Sequence, residues 1–215
     1  MDHRNWPIAR DALYFALPLA LLAAAAWRLS PSPVWALPGA AALFVLFFFR
    51  NPRRRGEAGD RELLSPADGK VLLVAEVPEE NEFLQGPAVK ISIFLNLFDV
   101  HINRSPADGL VEHVRHKEGK FLPAYKSHAS EINERNYLGL TAEGGARILL
   151  VQIVGLVARR VVCWSKAGDR LGRGERFGLM RFGSCVELYL PPGTAVYVKP
   201  GDKVKGGLTK IGRLP

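Results

Sequence analysis

Close to its C-terminal end the chain reads RFGSCVELYLP, residues 181–191. A Gly183–Ser184 pair stands directly before a stretch that alternates like a β-strand. A serine hydroxyl is a weak nucleophile unless a base takes its proton. Gly183-Ser184-Cys185 is not the glycine-flanked elbow of G-x-S-x-G, and no helical pattern follows it. Of the five histidines, His101 in FDVHINRSP has the best position. It follows an alternating strand and precedes a turn, and a strand end is a rigid mount. His3 lies ahead of an apolar segment, and His113 and His116 in VEHVRHKEG read as solvated surface. His128 falls in a polar, lid-like stretch and is undecided. Asp68 in SPADGK has two readings. Ahead of glycine an aspartate favours a turn, yet Asp68 is also a candidate orienting carboxylate for a Ser-His-Asp arrangement, which is recognised by geometry and not by chain order. Spacing alone does not establish a triad.

The elements that must position these residues are mostly strands. In AVKISIFLNLF, Val89, Ile91, Ile93, Leu95 and Leu97 share one face, with Lys90, Ser92 and Asn96 on the other. KVLLVAEV, ARILLVQIVGLVARRVVCW and CVELYLPPGTAVYVK are likewise β-branched and bounded by Gly or Pro. Residues 120–136 form the one amphipathic helix or lid. The expected class is mainly β (α+β), a barrel or sandwich over residues 56–215. Two Asp/Gly turns, SPADGKV at 65–71 and KPGDKVKGG at 199–207, resemble the halves of the barrel-sandwich hybrid of biotinyl and lipoyl domains. A carrier module's lysine tetrapeptide is missing. No repeat of 20–50 residues is evident.

Residues 1–55 differ in kind. Ala12–Trp27 and Val34–Phe49 carry no charge, and each falls slightly short of the roughly 17–25 residues that span a bilayer. RLSPSP between them is turn chemistry. The segment reads as a hairpin of two apolar helices. Arg50, Arg53, Arg54 and Arg55 crowd its exit, Arg4 and Arg10 precede it, and only Arg28 lies in the turn. By the positive-inside rule both ends, and the body after them, face the cytoplasm. The net charge of +8 calls for a polyanionic partner, and this hairpin favours an anionic membrane surface over nucleic acid. Cys163 and Cys185 are too few for a disulfide framework and show no metal spacing.

SPADGKV, FDVHINRSP, GKFLPAYKSHASEINERN, RGERFGLMRFGS and VELYLP together resemble the short, membrane-anchored form of the phosphatidylserine decarboxylases, collinearly over about residues 60–200. The resemblance implies self-cleavage between Gly183 and Ser184, into a β chain 1–183 and an α chain 184–215 that stay associated. Ser184 becomes a covalent pyruvoyl group. It implies His101, oriented by Asp68, as the base, and decarboxylation of phosphatidylserine to phosphatidylethanolamine through a Schiff base to that group. No metal or diffusible cofactor is implied. Arg104, Lys120 and Lys126 are possible headgroup contacts. One departure concerns the proton donor: where longer members carry a second histidine, three residues before His101, this chain has Phe98. A serine hydrolase using Ser184, His101 and Asp68, and a non-catalytic carrier or binding module, are the alternatives.

Overall fold

The computed structural model describes residues 6–30, 32–122, 132–155, 160–181 and 183–215. The chain divides into two compact units, Met1–Arg53 and Arg54–Pro215.

In the first unit, α1 (Asp11–Leu29) and α2 (Ala36–Phe48) are joined through a 3-10 turn, Pro33–Trp35. Small residues let the helices approach: Gly39 faces Ala23, and Ala12, Ala16 and Ala42 are buried. Phe15 stacks on Phe49 with ring centroids 6.0 Å apart. Leu13, Leu17, Leu21, Leu22, Leu37 and Leu43 stay exposed. α1 is long and apolar enough to cross a membrane, whereas the Pro33–Phe48 helix is shorter.

The second unit is built from strands. Its N-terminal part supplies β1 (Glu62–Leu64), β2 (Gly69–Glu80), β3 (Gly86–Leu95), β4 (Ile102–Arg104), β5 (Gly109–Lys117) and β6 (Arg135–Ala142). The remainder supplies β7 (Arg147–Val154), β8 (Val161–Cys163), β9 (Arg170–Leu171), β10 (Arg176–Met180), β11 (Ser184–Leu190), β12 (Ala195–Val196), β13 (Lys203–Val204) and β14 (Lys210–Arg213). Eight form one sheet in the order β13-β2-β3-β11-β7-β6-β5-β9, and two three-stranded sheets run β1-β14-β12 and β4-β10-β8. Leu63, Phe177, Met180 and Ile211 from the small sheets pack with Ile91, Ile93, Leu138, Leu150, Val186 and Leu188 of the large one. The mainly-β class therefore holds.

This order is palindromic. Exchanging β1–β3 with β4–β6, and β7–β10 with β11–β14, maps each sheet onto itself or onto its counterpart. The hydrogen bonds repeat the exchange. Leu64 N–H donates to Pro106 O (3.0 Å) while Arg104 N–H donates to Pro66 O (2.9 Å). Gly207 N–H donates to Ser65 O and Gly174 N–H to Ser105 O, both at 2.8 Å. The strand register shifts between Val71 and Leu73 on one side and between Val111 and His113 on the other. The unit is a pseudo-twofold pair of interleaved halves.

That symmetry corrects the sequence reading. The turn equivalent to SPADG at 65–69 is the second SPADG at 105–109, and KPGD at 199–202 answers to KAGD at 166–169. A repeat is present after all. Both copies need their glycine, because a Cβ on Gly69 would meet Phe94 O at 2.1 Å and one on Gly109 would meet Thr141 O at 2.5 Å. The helix or lid expected over 120–136 is also revised at its ends. Lys120 bridges to Asn133, and Arg135 and Asn136 already belong to β6. Lys126, His128 and the rest of 123–131 lie outside the described residues. Leu97 lies beyond the end of β3 and is exposed, since the strand stops at Leu95.

Candidate active site

Ser184 is the first residue of β11, one of the two strands that flank the pseudo-dyad. It pairs with Leu95 of β3 on one side and Val154 of β7 on the other. Its residue is completely buried, and its Oγ has no hydrogen-bond partner among the described residues. A buried hydroxyl without a partner is costly, and such atoms mark sites where a group is held ready for something else.

The link leading into Ser184 is held at both ends by one histidine. His101 sits at the entry to β4, the strand that pairs with β10. Met180, the last residue of β10, donates its N–H to His101 O at 3.1 Å. Three residues later Gly183 N–H donates to His101 Nε2 at 3.2 Å. Because Nε2 accepts, the ring proton belongs on Nδ1, which lies 3.0 Å from Asp99 O and donates to it. The imidazole is thus buried and neutral, with its lone pair directed at the Gly183 amide.

Gly183 adopts φ +69°, and a Cβ there would have nothing within 4 Å. Its requirement is conformational and not steric, since only glycine enters the left-handed region without a penalty.

Asp68 lies in a different constellation. Its carboxylate takes a bidentate ion pair from Arg54, whose Nη2 is 2.8 Å from Oδ2, and the Gly206 N–H at 2.8 Å. Arg54 also donates to Gly206 O. The equivalent Asp108 is held in the same manner, by Arg173 N–H at 2.9 Å and the Arg173 guanidinium at 3.2 Å. The structure therefore brings together Gly183, Ser184 and His101, and places Asp68 in a salt-bridged turn. Arg54, which the sequence groups with the arginines at the hairpin exit, belongs to this turn.

Arg104, a possible headgroup contact by sequence, is buried and donates to Gly174 O at 2.9 Å. Burial, helped by the neighbouring Arg176 and Arg54 charges, brings its guanidinium down to about 10. Lys120 lies on the bridge to Asn133. His113 is not simply solvated: its Nε2 meets Glu82 at 2.7 Å. Cys185 is buried on the opposite face of β11, and desolvation pushes its thiol far above the ordinary range.

Sequence reasoning missed a buried amide chain that runs from β6 through β7 to β4. Asn136 Nδ2 donates to Gln152 Oε1 at 3.2 Å, and Gln152 Nε2 donates to Asn103 Oδ1 at 2.8 Å. All three side chains are interior. Polar residues inside INR and LLVQIV were the only available signal, and in an alternating strand they read as outward-facing.

Comparison with known proteins identifies the family. The family model described as phosphatidylserine decarboxylase matches residues 41–212. A phosphatidylserine decarboxylase proenzyme of Carboxydothermus hydrogenoformans is 57% identical over 173 residues, 80% of each chain. The proenzyme of that name from Symbiobacterium thermophilum is 49% identical over 218 residues, covering 100% of this chain and 99% of its own. One from Syntrophus aciditrophicus is 43% identical over 99% of both chains. The chain belongs to the phosphatidylserine decarboxylase family.

Proposed function

We propose that the chain is made as a precursor, cuts its own Gly183–Ser184 bond, and then decarboxylates phosphatidylserine to phosphatidylethanolamine. One observation carries the reading: the buried hydroxyl of Ser184, without a partner among the described residues, adjoins a left-handed glycine whose N–H is held by the lone pair of His101.

Ser184 Oγ attacks the carbonyl carbon of Gly183, forming the C–O bond and pushing the π pair onto oxygen. His101 Nε2 takes the hydroxyl proton. The C–N bond then breaks, its nitrogen receives a proton, and an ester joins the two pieces. Loss of the Ser184 Cα proton and of the Cβ–Oγ bond releases Gly183 as a carboxylate. The dehydroalanine left on residue 184 hydrolyses, losing ammonia, to the pyruvoyl group.

The pyruvoyl ketone supplies the electron sink that lets an amine-bearing substrate lose carbon dioxide. The surroundings of residue 184 fit such a group. They are interior, and the neighbouring strand β7 carries Gln152, bonded to an Asn103 amide whose Nδ2 has no partner among the described residues. His101 then holds a proton close to the reacting carbon. Asp68 acts as a positioning residue, holding the turn that leads into β2. The basic chain suits an anionic phosphodiester, and the helical hairpin, with its arginine-rich exit after α2, keeps the catalytic unit at the cytoplasmic face of the membrane.

The test is the intact mass of the purified protein together with a denaturing gel. The wild-type chain yields pieces 1–183 and 184–215, the smaller one blocked at its N-terminus, and Ser184→Ala remains whole. An uncut chain that still decarboxylates lipid would sink the reading.

A further inference from the structure

The amide chain Asn136–Gln152–Asn103 has a direction. Each link donates toward Asn103, whose Oδ1 is occupied by Gln152 while its Nδ2 finds no partner among the described residues. Two aligned amide dipoles behind a donor polarise its N–H bonds. Leaving that donor unpaired in a fully buried residue costs stability, so the fold tolerates a penalty here.

Register places this donor beside the scissile link. Ser184 is opposite Val154 and Val186 is opposite Gln152. Residues two apart on a strand share a face, so Gln152 projects to the same side as Ser184, on its diagonal. Asn103 approaches from the other sheet, two residues after His101, so the two side chains leave the entry of β4 on one side. The His101 ring there already touches Gly183. Space for the amides is kept by Gly178, the cross-strand partner of Asn103, where a Cβ would lie 2.9 Å from Gln152 Nε2. The orphaned hydroxyl of Ser184 and the orphaned amide of Asn103 thus occupy one compartment, with His101 at its edge.

We infer that Asn103 is a catalytic residue of self-cleavage: its Nδ2–H donates to the oxyanion that forms on Gly183 O when Ser184 Oγ attacks. Gln152 and Asn136 are positioning residues that hold the Asn103 amide with its N–H₂ forward. When the tetrahedral centre collapses, the electron pair returns to the carbonyl, the C–N bond breaks, and the proton held by His101 passes to the departing nitrogen. The inference rests on the proposed self-cleavage and adds a group to it.

The experiment follows newly synthesised full-length chain, made in a cell-free system with lipid nanodiscs, by pulse-chase and intact mass. Asn103→Leu, similar in size but without a donor, is expected to slow conversion about 10²–10³-fold, the loss usual for one oxyanion donor. Gln152→Leu, which leaves the donor present but unaimed, is expected to fall between. Hydroxylamine intercepts the ester, so it should release the 184–215 piece early from wild-type chain and leave Asn103→Leu whole. On a Ser184→Ala background, which cannot cleave, Asn103→Leu should melt below its parent by no more than Gln152→Leu does, because both variants break the same buried Gln152–Asn103 bond. Wild-type conversion rates in Asn103→Leu, early release of the small piece from it by hydroxylamine, or conversion no slower in Asn103→Leu than in Gln152→Leu would each overturn the assignment. A wild-type chain that never breaks at 183/184 would instead remove the proposed function itself.

Discussion

Gly183 donates its backbone N–H to Nε2 of His101 across 3.2 Å, and that bond fixes the chemistry of the ring. An imidazole that accepts at Nε2 keeps a basic nitrogen beside the link, as the proposed base role requires. His101→Ala removes the base and is expected to slow self-cleavage by about 10²–10⁴-fold, the usual contribution of a positioned general base. His101→Gln preserves an acceptor for Gly183 without a basic nitrogen. It should be as slow as alanine while keeping more of the melting temperature. Pulse-chase with a thermal melt separates the two effects, and normal processing in either variant would remove His101 from the base role.

The left-handed backbone at Gly183 gives a second prediction. Its Cβ position is open, so substitution meets strain and not collision, about 1–2 kcal/mol for an ordinary residue in this region. Gly183→Ala should therefore slow processing, and Gly183→Asn should slow it less, because asparagine enters the left-handed region more readily. Equal rates for both variants, measured by conversion on a denaturing gel, would show that the conformation of the link is not what matters.

The inner face of β3 was legible from the sequence because period two is a local property: Ile91, Ile93 and Leu95 alternate and are all interior. Ser184 and His101 were legible for the same local reason, each standing at an apparent strand end. The internal symmetry was not. Its two strand sets share little beyond SPADG and a K-x-G-D turn, and each half is interrupted by the other, so no single period runs along the chain. The amide chain was hidden by the same non-locality. Nothing in INR or LLVQIV says that Asn103 and Gln152 meet, and only the pairing of β4 with β10, and β7 with β11, brings them together.

Asp68 and Asp108 offer an internal control. Each caps an equivalent turn with a backbone N–H and a guanidinium, but only Asp68 lies in the motif paired by resemblance with His101. Asp68→Ala and Asp108→Ala should both lower the melting temperature. Only Asp68→Ala should also slow the appearance of the 184–215 piece. If the Asp108 variant matures as slowly as the Asp68 variant, Asp68 contributes turn stability and nothing further.

A pH prediction comes from Glu82, clasped by Arg115 Nε at 2.6 Å and His113 Nε2 at 2.7 Å. The Arg115 bond is the largest influence and holds the carboxyl below its ordinary value of 4.5; desolvation opposes it, and the His113 bond adds a smaller downward pull. A carboxyl whose folded value is depressed binds fewer protons folded than unfolded. Its stabilisation is therefore present above the ordinary carboxylate range and disappears as pH falls through the folded value. Glu82→Gln should melt below wild type at neutral pH, and the two should converge once the pH drops beneath that range. Parallel melting curves down to strong acid would mean the clasp adds no pH-dependent stability.

The position of β11 decides the fate of the small piece if the link is cut as proposed. β11 is hydrogen-bonded to β3 over Ser184–Leu190 and to β7 over Ser184–Tyr189, both of which lie in the 1–183 piece. β13 pairs with β2, and β14 pairs with β1, so three strands of the 184–215 piece are laced into sheets of the larger one. Val186, Leu188 and Leu190 add fully buried side chains. Breaking one peptide bond at the start of β11 removes none of these contacts. The pieces should co-elute on size exclusion in native buffer and part only in denaturant. Leu188→Ala, which empties part of this core, should cost about 2–5 kcal/mol and lower the denaturant concentration at which the small piece is released. It should leave the rate of cleavage close to wild type, because Leu188 lies two pleats from the scissile link. Loss of the small piece from the wild-type protein in native buffer would contradict this account of how the cut protein keeps its site.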